Sequence, residues 1–264
     1  MRVLFVADIV GREAVVWVTG RLPGLRRDLG LDLVIANAEN CTLSDPSPDR
    51  GFGMRADLVA DLFASGVDVI TSGNHAWDSP DFSRVLTRPR VLRPHNLPVH
   101  PGRPGTGVTT VLVGEEPVTV VNLADAGAIA DALPPYPAWR KIADSLGDAR
   151  GTVIVDFHGD SAYAKHGLAH AADGEVAAVL GTHTHEPTST LHLLPGGTAL
   201  VVDVGMTGRS GGFQGIDPAC FLPEFRFDVP AEPPPLALAT GPMVLGAVLL
   251  TIEGGRTTAI ERVE

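Results

Sequence analysis

The chain has 264 residues, 44% of them hydrophobic and 19% charged, a composition that excludes a disordered chain and supports a full hydrophobic core. Asp and Glu outnumber Lys and Arg by 31 to 20, for a net charge of −11. That balance argues against duplex nucleic acid as a partner but not against a small phosphorylated ligand, because a bound metal reverses the local sign. Two cysteines, Cys41 and Cys220, make no disulfide framework, no apolar run reaches membrane-span length, and the short apolar start does not fit a signal peptide. A cytoplasmic protein with no membrane partner is expected.

The first strand is expected over residues 3–6, then a helix over 12–29 disturbed at Pro23-Gly24. A strand at 33–36 and a helix over 56–65 follow, with Leu58, Leu62 and Phe63 on one side of the helix, and then a strand over 67–71. Residues 108–113 and 118–121 read as a strand pair around Gly114. A helix over 138–146 leads to a strong strand over 152–157, then a helix over 161–171 and a strand over 176–180. A closing hairpin, 244–252 with 257–263, turns at Glu253-Gly254-Gly255. This alternation predicts an α/β sandwich with mixed sheets. Two stretches break it, 41–53 with Pro46, Pro48, Gly51 and Gly53, and 208–235 with Pro233-Pro234-Pro235; both read as long surface loops. Neither an internal repeat nor a linker divides the chain, so a single domain over 1–264 is expected.

Metal-capable residues collect where the predicted strands end. The first strand ends in Asp8, the second in Asn37-Ala38-Glu39-Asn40 and the third in Gly73-Asn74-His75. Further on, Asp156-Phe157-His158 and Gly181-Thr182-His183-Thr184-His185 close two more. Ligands of open α/β sheets bind outside the carboxyl ends of strands, so five such ends predict one convergent site. Singly, each has a local alternative: Asp8 as a helix cap, Asn74 in a turn, His158 as a core histidine. Together they offer carboxylate, amide and imidazole donors without thiolate, which suits manganese, iron or zinc. More than four donors fit a pair of metals better than one closed tetrahedral zinc, and paired metals occur in phosphatases and nucleases.

These stretches resemble the calcineurin-like metallophosphoesterases, and within them the bacterial YmdB-like 2′,3′-cyclic-nucleotide phosphodiesterases. The resemblance rests on Ala7-Asp8-Ile9-Val10-Gly11, Asn37-Ala38-Glu39-Asn40, Gly73-Asn74-His75-Ala76-Trp77-Asp78, Arg93-Pro94-His95-Asn96, Asp156-Phe157-His158, His183-Thr184-His185 and Asp203-Val204-Gly205-Met206-Thr207-Gly208. It implies a metallophosphoesterase-type sandwich of two mixed β-sheets flanked by helices. It implies two divalent or trivalent metal ions per chain, iron or manganese ahead of zinc. Asp8, Glu39, Asn40 and His185 would hold one metal, and Glu39, Asn74, His158 and His183 the other, with Glu39 bridging. A hydroxide between the metals would attack phosphorus, and His75 would be the general acid, oriented by Asp78 unless Asp78 serves as a helix cap. The substrate would be a small phosphodiester; a homo-oligomer is left open.

The chain also departs from the family pattern. Ala7 replaces a usual glycine, Arg12-Glu13 follows Gly11 directly, and residues 43–49 lengthen a loop. Ala124-Asp125 stands where Gly-Arg is usual, and Gly159-Asp160 where Ala-Glu is usual. Cys41 reads as a small filler, and His95, His100, His166, His170 and His192 as surface or packing residues. The altered loops keep a second reading open, a metal-binding regulatory protein with little turnover. An amidohydrolase is disfavoured because its His-x-His would come early rather than at His183 and His185.

Overall fold

Successive residues of the first strand, β1 (Arg2–Val6), point to opposite faces, and both faces are covered. Leu4 and Val6 pack under two helices, whereas Val3 and Phe5 pack against a second sheet. This is why the strand reads as a continuous apolar run rather than as an alternation. The computed structural model describes residues 1–43, 52–228, 232 and 235–263. Pro46, Pro48 and Gly51, most of the 43–49 lengthening and Pro233-Pro234 lie outside the described residues.

After β1 come α1 (Arg12–Asp28), β2 (Leu33–Asn37), α2 (Ala56–Ser65), β3 (Val69–Thr71) and α3 (Phe82–Leu86). The chain continues through β4 (Val108–Val113), β5 (Glu116–Ala124), α4 (Pro135–Leu146), β6 (Thr152–His158), α5 (Ala162–Ala171), β7 (Ala178–Thr182), β8 (His192–Leu193) and β9 (Ala199–Val201). It closes with β10 (Gly208–Arg209), α6 (Leu222–Phe225), β11 (Met243–Val244), β12 (Ala247–Glu253) and β13 (Arg256–Val263). One mixed sheet has the order β13-β12-β1-β2-β3 and the other β4-β5-β6-β7-β9-β8. Strands β1, β2 and β3 are parallel, as are β5, β6, β7 and β9, so their carboxyl ends share an edge in each sheet. Trp139, Ile142 and Leu168 of α4 and α5 cover the outer face of the second sheet against Val121, Val155 and Phe157. The result is the expected sandwich of two mixed sheets between helical layers.

Several boundaries differ from the sequence reading, each for a local reason. Helix α1 runs unbroken through Pro23. The ring removes one amide donor, but Val18 and Leu22 are buried on the same face and hold the turn. Strand β3 starts at Val69 rather than 67, because the Val67 amide bonds the Leu62 carbonyl and closes α2 behind Gly66, whose φ is 110°. Strand β7 starts two residues late, set by the pairing of Ala178 with Ile154. The closing hairpin starts at Ala247, since Met243 and Val244 pair instead with Arg209 and Gly208. The 208–235 stretch is therefore not only a surface loop: it opens as a strand, buries Ile216 and carries a short helix.

Candidate metal centre and active site

All eight residues expected at the site lie together, at the carboxyl ends of β1, β2, β3, β6 and β7. One group surrounds His158 Nε2: Asn74 Oδ1 at 2.8 Å, His183 Nδ1 at 3.0 Å and Glu39 Oε1 at 3.1 Å. A second surrounds His185 Nε2, with Asn40 Nδ2 at 3.3 Å and Asp8 Oδ2 at 3.5 Å. Glu39 Oε1 is also 3.5 Å from Asn40 Nδ2, so this carboxylate stands between the groups. Glu39 Oε2 accepts the backbone amide of His75 at 3.0 Å, which ties the third strand end to the second. Asp8 does not cap α1; its Oδ2 accepts the backbone amide of His183 at 2.8 Å, linking the two sheets.

A buried polar layer beneath the site fixes these side chains. Asp156 is fully buried and accepts from Asn37 Nδ2 at 3.0 Å, from Thr182 Oγ1 at 2.7 Å and from the Thr71 hydroxyl. With its proton given to Asp156, Thr182 Oγ1 accepts from His158 Nδ1 at 3.0 Å. This chain fixes the orientation of the His158 ring and turns its Nε2 into the site. His185 is oriented alike, its Nδ1 donating to the Gln214 carbonyl at 3.2 Å. The turn that carries both histidines is held by Asp203, whose Oδ2 accepts the Thr184 amide and hydroxyl at 3.2 and 2.8 Å. Buried Lys165 completes that support, donating to the Thr182 carbonyl at 3.0 Å and to Asp203 Oδ2 at 3.3 Å. The backbone here is strained, with φ of 26° at Asp8, 98° at His183 and 63° at His185. Non-glycine residues hold such angles at a cost of about 1–3 kcal/mol each, and they cluster at functional sites.

The electrostatics follow from burial and close pairing. Burial pushes the Asp8 carboxyl well above its usual range. Burial acts on Glu39 in the same direction, but the adjacent His158 outweighs it by charge and hydrogen bond and brings this carboxyl to about 2. In His158, burial opposes the charged ring, and Glu39 prevails to raise it to about 9. Burial and repulsion from His158 lower His183, and burial takes His185 down to about 4. Two neutral imidazoles thus face two buried carboxyl groups.

The donor set fits metal ions. Asp8 Oδ1 and Asn40 Oδ1 are buried without any hydrogen-bond partner, an arrangement that costs about 1–3 kcal/mol per group unless an ion or other partner satisfies it. Donor atoms of Glu39, His158 and His183 lie within 4.8 Å of one another, close enough for one cation to draw them together. His75 stands at the rim of the same cavity with Glu39, Asn40, His183 and His185. Its Nδ1 lies 2.6 Å from Asp78 Oδ2, and its ring stacks on Phe52 at 4.1 Å. Helix α3 begins beyond Asp78, at Phe82, so the pairing with His75 rather than a cap is the contact Asp78 makes.

Sequence reasoning missed Asp156 as the clamp, Lys165 and Asp203 as supports, and Phe52 as the stacking partner. Asp156 carried a signal, since it sits two residues before His158 on one strand and hence on the same face, and Asp203 opens a stretch already singled out; Lys165 and Phe52 carried none. Cys41 is buried with its thiol pushed up to about 12 by burial, as a filler would be. Trp139 is core, whereas Trp17 lies partly exposed under Arg21 at 4.0 Å.

A two-sheet α/β sandwich that gathers carboxylate, amide and imidazole groups at its parallel strand ends has the architecture of a metallophosphoesterase. The chain belongs to the YmdB-like protein family, whose model matches residues 4–263. It is 30% identical over 262 residues to the 2′,3′-cyclic-nucleotide 2′-phosphodiesterase of Bacillus subtilis (strain 168), covering 99% of this chain and 95% of that one. A crystal structure from Thermus thermophilus, titled as a hypothetical protein, superposes with TM-score 0.86 at 36% identity, covering 98% and 97% of the two chains. A Mycoplasma pneumoniae structure titled as a novel phosphatase superposes with TM-score 0.87 at 25% identity, covering 99% of this chain and 92% of that one. No helix among the described residues is long and apolar enough to cross a membrane.

Proposed function

We propose that the protein is a metal-dependent phosphodiesterase acting on 2′,3′-cyclic nucleotides or related small phosphodiesters. The reading is carried by the two donor groups around His158 and His185, with Glu39 between them and buried oxygens of Asp8 and Asn40 left without a partner. Asp8, Glu39, Asn40 and His185 would hold one metal, and Glu39, Asn74, His158 and His183 the other; iron or manganese suits these donors best, ahead of zinc. When bound, the metals supply charge stabilisation to the phosphoryl oxygens and lower the pKa of water towards neutrality.

The chain's own residues supply the rest. Asp78 holds the His75 Nδ1 proton at 2.6 Å, which leaves Nε2 for the substrate. Nε2 of the protonated ring gives its proton to the departing ribose oxygen, and Asp78 keeps the ring oriented through the transfer. The Phe52 face keeps water from one side of that ring. His183 and His185 are fixed before substrate arrives, by Asp8, Asp203 and the Gln214 carbonyl, so little reorganisation accompanies the reaction.

The test is elemental analysis of the purified protein together with turnover of bis-p-nitrophenyl phosphate and 2′,3′-cyclic nucleotides by the same sample. About two metals per chain with turnover is the expected result. Two metals without turnover after manganese or iron reconstitution would instead favour the regulatory metal-binding reading. A chain that takes up no metal on reconstitution would overturn the site assignment itself.

A further inference from the structure

The polar cavity over the metal centre is small, about 170 Å³, and Gln214 and Phe221 form part of its wall. The same two residues wall a second, larger cavity of about 720 Å³. Thr184, the residue between His183 and His185, also borders it, so the two spaces meet at the turn that carries these histidines. Four aromatic rings line the larger cavity: Phe213, Phe221, Phe225 and Phe227. The centroids of Phe213 and Phe221 are 6.0 Å apart and nearly parallel at 25°, and Phe225 meets Phe213 at 6.0 Å and 74°. Phe225 and Phe227 are 71% and 97% exposed, a large aromatic area left facing water beside a reactive centre.

The polar rim narrows the choice of occupant. Glu186 and Glu224 border the cavity, and neither Lys nor Arg lines it among the described residues. Two carboxylates without a cation repel a second phosphate, a polyphosphate tail or an anionic lipid headgroup. They accept hydrogen bonds from N–H donors. An aromatic wall with acceptors at its edge and an acidic field suits a flat, neutral ring that bears an amino group. Aromatic side chains stack on the face of any base.

We propose that the cavity lined by Phe213, Phe221, Phe225 and Phe227 is a nucleobase subsite, in which Glu186 and Glu224 favour bases with an exocyclic amino group. This rests on the phosphodiesterase reading for its substrate, a nucleoside 2′,3′-cyclic monophosphate. The metal centre takes the cyclic phosphate, and the aromatic cavity takes the base. Adenine and cytosine are preferred over uracil, which has no amino group and whose single free N–H is flanked by carbonyl oxygens that the carboxylates repel. A flanking phosphate is disfavoured, so mononucleotides are preferred over oligonucleotide ends.

The experiment compares 2′,3′-cyclic AMP with glycerol 1,2-cyclic phosphate, which has the same five-membered phosphodiester and no base. The ratio of kcat/KM for the two is measured in the metal-loaded wild type and in Phe213→Ala and Phe225→Ala. The expected result is a fall in that ratio of about 5- to 150-fold, the range of one lost stacking contact. Phe225→Trp keeps the ratio, Phe225→Leu does not, and Glu186→Gln with Glu224→Gln narrows the preference for cyclic AMP over cyclic UMP. Saturation-transfer NMR of adenosine on the same proteins reads the subsite without turnover, and its signal falls in the alanine variants. An unaltered ratio, or adenosine binding that survives both alanine variants, overturns the proposal. Turnover of neither cyclic phosphate by the loaded wild type would refute the phosphodiesterase reading instead, and adenosine binding would still decide the subsite.

Discussion

A β-carbon at Gly73 would stand 2.1 Å from the His158 ring. Nothing larger than glycine fits there, and Gly73 is the first residue of the Gly-Asn-His stretch because it lets the imidazole pass over the backbone. Gly73→Ala should therefore displace His158 and remove at least one metal equivalent, read by elemental analysis against the wild type. His75 makes a different prediction, because its side chain contacts Asp78 and Phe52 rather than the metal-facing donors. His75→Ala should lose about 10²–10⁴ in kcat while the metal content stays that of the wild type. At this scale the sequence was legible where a residue type announces a chemistry, as in Asp8, Glu39, His158, His183 and His185. It was silent where the role comes from a neighbour far along the chain: nothing near Phe52 says that His75 will stack on it.

Two supports act at the level of elements. Lys165 on α5 is buried and joins Asp203 to the end of β7. Removing one partner leaves a charge buried without its counterpart, so Lys165→Met should destabilise the fold by about 3–5 kcal/mol in urea unfolding. Asp125, just after β5, accepts four backbone amides, from Gly127, Ala128, Asp160 and Ser161. The two departures from the family pattern, at 124–125 and 159–160, thus bond to each other; Gly159 is required because its β-carbon would stand 2.5 Å from Asp125 Oδ2. Burial alone would raise the Asp125 carboxyl, but these amides outweigh it and hold the group below its usual range. A carboxyl depressed in this way adds stability above its unfolded pKa, near 3.9, and loses it as pH falls through the folded value. Asp125→Asn should cost about 1–3 kcal/mol near neutral pH. The gap to wild type in urea midpoint should persist at pH 5 and close below about pH 4. Element positions were mostly legible, since strand and helix periodicity are local. The boundaries at Val69, Ala178 and Ala247 were not, because a strand begins where a partner strand offers hydrogen bonds.

At the level of the whole molecule, the site is a seam between two sheets. β1, β2 and β3 bring Asp8, Glu39, Asn40, Asn74 and His75 to one side, and β6 and β7 bring His158, His183 and His185 to the other. Asp156 joins the sides by bonding Asn37, which is 119 residues away along the chain. Metals held across this seam as proposed would bind the folded chain and not the unfolded one, and so would stabilise it by mass action. With free metal at about 100 times Kd the gain is about 2.7 kcal/mol per ion, and loss of each ion should lower Tm by about 5–10 °C in calorimetry. An unchanged Tm after verified metal removal would show that the seam closes without its ions.

The amino-acid sequence by itself determined the kind of fold and the kind of chemistry. Short apolar runs alternating with helical ones specify buried strands, and metal-capable residues at five strand ends specify where donors will gather. Both are properties of residues adjacent in the chain. Only the tertiary structure decided which donors share a nitrogen, which oxygens are left without a partner, and that Asp125 answers Gly159 and Asp160. It alone set four phenylalanines of the 213–227 segment around a cavity that adjoins the candidate site. Those outcomes depend on distances between residues far apart in sequence, which packing of the two sheets sets and no local pattern encodes.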